Sequence, residues 1–256
     1  MAKQSAPVKR QRRERGSIDP NDIIEGAFEL AEEVSIDNLS MPLLGKHLGV
    51  GVTSIYWYFR KKDDLLNAMT DRALGQFARE TPFPQNRPWR ETLSEHAYGM
   101  RETFTANPIL CDLILIRGSM SPRAGQPAAQ LIELAVANLV KAGLSLDDAF
   151  DTYSAVQLHV RGSVVLARLH QKQKAADPEA RAYYEHLIIT PETTPLLSEG
   201  VGRGHSIGAP DDKNFSFGLE CILDHASRLI EATAAGAGTA KSPASPRRNG
   251  KAPEAS

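Results

Sequence analysis

Residues 40–66, SMPLLGKHLGVGVTSIYWYFRKKDDLL, read as a helix, a tight turn, a second short helix and the cationic start of a third. Ser40 can cap the first helix by accepting an early backbone N–H. Pro42 fits its first turn, where N–H groups have no partner to lose. Met41, Leu44 and Leu48 recur on one face. Gly49 falls where the chain must reverse, a left-handed position that glycine takes without strain. The second helix is expected from about Val52 to Phe59, with Ile55 and Phe59 turned inward four residues apart. Lys62 opens the next helix, with Asp63 and Asp64 in the first turn, where the helix dipole favours them.

The second helix carries the chemistry. Ile55, Tyr56, Trp57, Tyr58 and Phe59 point in too many directions to be buried on one face. Thr53 and Ser54, at the helix start, are short enough to reach base edges or phosphates. Tyr56 and Tyr58 offer phenolic donors to phosphates and flat rings to sugars. Lys62 can neutralise a phosphate. The pattern predicts a helix-turn-helix that reads the major groove of double-stranded DNA.

Upstream, Asp19 and Pro20 start a helix through IIEGAFELAEE, with Ile23, Ile24, Ala27, Phe28 and Ala31 in one stripe. From this helix to about residue 70, through LSMPLLGKHLGVGVTSIYWYFRKKDDLLNAM, the chain resembles the DNA-binding core of the TetR family of bacterial transcriptional regulators, in its tetracycline-repressor-like branch. The resemblance implies base contacts from Val52, Thr53 and Ser54, and phosphate contacts from Tyr56, Tyr58 and Lys62. It places Trp57 beside the DNA backbone. Two positions depart from the pattern. Gly51 stands where many members have a capping Ser or Thr, and Val52 replaces a polar residue that some use to read a base. The operator sequence is therefore open.

A chain of 256 residues can hold this small domain and a larger one. A net charge of −1 argues against indiscriminate coating of nucleic acid and fits a local binding face on an otherwise acidic body. Lys3, Lys9, Arg10, Arg12, Arg13 and Arg15 make residues 1–17 a basic arm, read as disordered at its start, with phosphate contact left open for Arg10 to Arg15. Cys111 and Cys221 read as two buried thiols in a reducing cytoplasm. No Cys/His spacing suggests a metal, nothing calls for a cofactor, and no apolar stretch reaches membrane-spanning length.

The remainder reads as helices: 62–79, 89–105, a short apolar one from Pro108, 128–142, and a long one from Ser145 or Leu146. Residues 118–126 read as a loop and about 177–213 as irregular. FSFGLECILDHASRLIEA closes the fold, and residues 235–256 read as a disordered tail. The expectation is an all-α chain with a helix-turn-helix domain at 18–66 and a ligand-binding and dimerisation domain at 67–234. Phe215, Phe217, Leu219, Ile222, Leu223 and Ala226 make the last helix apolar on more than one side, which calls for two partners and so for a homodimer on a palindromic operator. The resemblance implies a body that holds a small-molecule effector and moves the DNA-binding heads. Candidate lining residues are Trp89, His96, Met100, Phe104, Tyr153, Gln157, His159 and Arg161.

The reading is thus a regulator, as a repressor released by its effector, with an activator or an effector-independent repressor as the alternative in the same fold. An architectural DNA binder without a specific site is a further alternative. Gly204-His205-Ser206-Ile207-Gly208 matches the G-x-S-x-G pattern of a serine hydrolase. That motif needs a strand before it and a helix start after it, and LLSEGVGR and APDDK offer neither.

Overall fold

A computed structural model describes residues 18–80, 83–84, 87–118 and 122–239, all as helices and connections. The basic arm at 1–17 and the chain beyond 239 lie outside the described residues. The head consists of α1 (Pro20–Asn38), α2 (Met41–Leu48) and α3 (Val52–Tyr58). Asp19 caps α1 by accepting from the Asn21 and Asp22 amides at 2.7 and 2.9 Å, and the Asp22 carboxylate accepts from the Asp19 amide in return. Ser40 caps α2 through the Leu43 amide. Gly49 then reverses the chain at φ 70°, as its position requires. Ile23, Ala27, Leu44 and Ile55 have no solvent exposure and form the centre of the head.

The helix α4 (Lys62–Glu80) runs from head to body without a break, burying Leu65, Leu66, Met69 and Ala73. The body contains α5 (Trp89–Ala106), α6 (Pro108–Leu110), α7 (Pro122–Ala142), α8 (Leu146–Ala176), α9 (Pro195–Gly202) and α10 (Asp212–Thr239). The short α6 continues into a π-helical segment, Cys111–Ile116. The 31-residue α8 is the central element and packs against α5, α7, α10 and the π-helical segment. Among the described residues, no helix is long and apolar enough to cross a membrane.

Several boundaries differ from the sequence reading. The stretch read as a loop to residue 126 becomes helical at Pro122, whose fixed φ suits a first helical position. The stretch read as irregular contains a 3-10 turn at Tyr183–His186 and the helix α9, opened by Pro195. The last helix outruns the expected start of the tail and reaches Thr239, in a run rich in alanine. Cys221 is exposed, contrary to expectation, because it lies with Phe217 on the face of α10 opposite Leu219 and Leu223. Cys111 is buried, which pushes its thiol up to about 11.

The crossing of α8 and α10 is unusually close at Gly218. A Cβ there would lie 2.4 Å from the His159 ring. That ring stacks on Phe215 at 4.8 Å, and its Nε2 lies 2.7 Å from the Phe215 carbonyl, to which it donates. Gly218→Val should force the helices apart and cost about 1–3 kcal/mol. A lowered thermal midpoint is the expected result, and an unchanged midpoint would mean that the crossing relaxes freely.

Candidate nucleic-acid interface and effector pocket

The seven-residue α3 buries a single side chain, Ile55. Phe59, just past its end, is also buried, so the inward pair agrees with the sequence reading. The outer face is open. Thr53 and Ser54 are exposed at the helix start. Trp57 is 83% exposed, and Tyr56 and Tyr58 are each 43% exposed. Large aromatic side chains so accessible on one short helix expose an apolar and hydrogen-bonding surface that invites a partner. Val52 differs from its neighbours: it is half-buried and packs on the head core, so only part of it faces outward. Gly51 makes no side-chain capping bond, as expected of its missing hydroxyl.

Lys62 has an unforeseen role. Its ammonium donates to the carbonyls of Ile36 and Asp37, each at 3.2 Å. These carbonyls belong to the last turn of α1, where Ser35 adopts φ 67° and kinks the helix. A cation at that end satisfies carbonyls that lack helical partners. Two of the three ammonium donors are used this way, and one is left to point elsewhere.

In the body, α5 and α8 bring four of the eight candidate lining residues together. Met100 and Phe104 follow His96 at four-residue spacing on the buried face of α5. The His96 and Tyr153 rings stack at 6.3 Å, and the Gln157 amide donates to the Tyr153 hydroxyl at 2.7 Å and approaches the Met100 sulfur at 3.4 Å. Phe83, which sequence reasoning missed, meets His96 edge-on at 5.2 Å. Phe104 instead stacks on Phe77 of α4 at 4.8 Å. Trp89 packs half-buried on the core. His159 is taken up by Phe215, and Arg161 is exposed, so neither joins the cluster.

His96 is the most informative member. It is 2% exposed, and both ring nitrogens lack a hydrogen-bond partner among the described residues. Burial lowers its pKa to about 4 and keeps it neutral. A buried imidazole with no partner costs free energy that a ligand's polar group would recover.

Ser206, the residue of the hydrolase-like pattern, donates to the Asp211 carboxylate, and Asp211 in turn accepts from the Asn214 amide at the start of α10. The serine belongs to a helix-capping turn, with no strand leading into it. Among the described residues no cluster of His, Cys, Asp or Glu is arranged to hold a metal.

Two family models match the chain. "Bacterial regulatory proteins, tetR family" covers residues 23–69, and "Tetracyclin repressor-like, C-terminal domain" covers residues 81–226. An HTH-type transcriptional repressor of Mycobacterium tuberculosis is 66% identical over 235 residues, spanning 92% of this chain and 90% of that protein. The class A tetracycline repressor of transposon 1721 from Escherichia coli is 27% identical over 207 residues, spanning 81% of this chain and 89% of that protein. Among solved structures, TetR from Acinetobacter baumannii AYE superimposes with a TM-score of 0.59 at 25% identity, over 84% of this chain and 99% of that one. A variant of that protein is solved in complex with minocycline.

The buried His96 predicts an acid-labile fold. Above pH 6.5 the ring is neutral in both folded and unfolded chains. As pH falls from 6.5 toward 4, only the unfolded chain takes up the proton, and stability is lost across that window. His96→Leu should lose about 2 kcal/mol less than the parent protein between pH 7 and pH 5. Parallel denaturant unfolding at the two pH values measures this, and equal losses would remove His96 as the cause.

Proposed function

Since the chain belongs to the TetR family of bacterial regulatory proteins, a sequence-specific DNA-binding regulator, we propose that it is a cytoplasmic repressor released from its operator by a small-molecule effector. The observation that carries the effector reading is His96, a buried imidazole between Phe83 and Tyr153 whose two nitrogens have no partner among the described residues. Pockets for small ligands combine an apolar lining with a few polar anchors. His96, the Tyr153 hydroxyl and the Gln157 amide supply those anchors.

Members of the family act as homodimers on palindromic operators, and this chain has surface for a partner. Leu158 on α8 and Phe217 on α10 are 72% and 73% exposed and flank the close helix crossing at Gly218. Two heads on a two-fold axis read two half-sites, set about 34 Å apart for one DNA turn. On each half-site, Thr53 and Ser54, with part of Val52, meet base edges. Tyr56, Tyr58 and the free donor of Lys62 meet phosphates, with Trp57 beside the backbone.

Anisotropy of the labelled intergenic DNA upstream of the gene, against excess random competitor, tests the regulator reading. Saturation at two subunits per site that survives competitor is expected. Release of that DNA by a library compound, abolished in His96→Leu, would support the effector reading. A compound that releases DNA equally from both proteins would move the effector elsewhere.

Thr53→Ala or Ser54→Ala should cost about 1–3 kcal/mol at one base pair. Equal losses on specific and random DNA would contradict base reading. Lys62→Ala should lower the dependence of log affinity on log salt by about one unit. An unchanged slope would assign its ammonium wholly to the end of α1.

A further inference from the structure

The kinked last turn of α1 is held from two directions. From the head side, Lys62 binds the Ile36 and Asp37 carbonyls. From the body, the Lys172 ammonium of α8 reaches the Asp37 carboxylate at 2.5 Å. Lys172 is anchored in turn, because its ammonium lies 3.5 Å from Asp112 in the π-helical segment. Asp112 is 4% exposed and is already matched by Arg168, which donates to its two oxygens at 2.9 and 2.7 Å.

The charges explain why Lys172 is available to the head. A buried carboxylate needs a partner, and the bidentate guanidinium supplies one. The positive charge on Lys172 is therefore surplus to Asp112, and Asp37 takes it up. The pair crosses a cleft of about 800 Å³ with Phe28 and Asp37 on the head wall and Pro108, Ile109 and Arg168 on the body wall. Asp37 is 65% exposed, so water and salt screen the pair and it adds little to stability. Its effect is geometric: it sets where the end of α1 sits relative to α8.

We propose that Lys172 and Asp37 are positioning residues for DNA binding, whose ion pair ties the kinked end of α1, and through Lys62 the recognition unit, to the body at a fixed angle. The pair lies outside α4, the covalent link between head and body, and the His96 cluster is not part of it. Without the pair each head still folds and still fits a half-site. The two heads of a dimer then no longer hold one separation.

The full-length dimer tests this. Spin labels at Glu25→Cys, on the exposed face of α1, report the head-to-head distance in a Cys221→Ser background. Asp37→Asn removes the link and leaves the Asp112–Arg168 pair intact. Lys172→Met removes it from the other side. Both should broaden the distance distribution. Both should also weaken binding to a palindrome, selected from random duplexes with the parent protein, by about three- to tenfold. Binding to a single half-site should not change. Arg87→Met, which breaks an exposed ion pair with Glu95 before α5, is the control and should leave distances and affinity unchanged. An unbroadened distribution in Asp37→Asn, or equal broadening in the Arg87 control, would overturn the proposal. So would equal losses on palindrome and half-site. The half-site assay also separates this outcome from a failure of DNA recognition itself, which would abolish both bindings.

Discussion

A seven-residue helix with one buried side chain has no stability of its own. Nucleating a helix costs more than so few hydrogen bonds return. The recognition helix nevertheless must leave its outer face free to meet DNA. Every other feature of the head answers that constraint. Ile55 is the single inward anchor, and Phe59 locks the exit. Gly49 turns the chain tightly enough that α2 can brace α3. The Asp19 and Ser40 caps keep α1 and α2 from fraying beneath it. The long α4 then carries the orientation of this small unit into the body through a continuous buried seam from Leu65 to Ala73.

The body faces the opposite demand. Its core is large, so it can tolerate a costly group at its centre. His96 is held neutral by burial beside aromatic side chains, with no partner for either nitrogen among the described residues. A leucine would pack there without that penalty. The Asp112–Arg168 pair shows how this fold treats polarity when it is structural: two direct charge-assisted bonds at normal length. A satisfied buried carboxylate and a buried imidazole without a partner among the described residues thus stand in one core.

Local chemistry made much of this legible in the sequence. Asp19, Ser40 and Gly49 announced their caps and turn because those roles depend on a few adjacent atoms. Ile55 and Phe59 were readable as inward because five consecutive bulky residues cannot share one face. His96, Met100, Tyr153 and Gln157 stood among eight candidate lining residues, and only the packing of α5 on α8 separates them from the other four. Long-range geometry was not legible. Phe83 sits outside any helix and reaches His96 only through tertiary packing. Lys62 was readable as a phosphate contact, but its bonds to the end of α1, and that of Lys172, exist only once the end of α1 is brought beside them. The exposure of Cys221 depends on which side of α10 meets α8, and an apolar helix sequence leaves both sides open. His159 and Arg161 flank Val160 on α8, and neither spacing nor residue type revealed that one would be spent on Phe215 and the other turned outward.

The π-helical segment at Cys111–Ile116 has a consequence of another kind. Its wide turn closes with the Arg117 amide donating to the Asp112 carbonyl, five residues back. Arg117 then pairs with Asp63 at the start of α4, holding that carboxyl below its ordinary range, while Asp112 faces α8. Rewinding the segment as an ordinary α-helix would rotate one end against the other by about 100° for the residue gained. Asp112 and Arg117 could not then both keep their partners. The two ion pairs together count residues: they fix the winding number of the backbone between α6 and α7, and an insertion or deletion of one residue there would be felt at both ends at once.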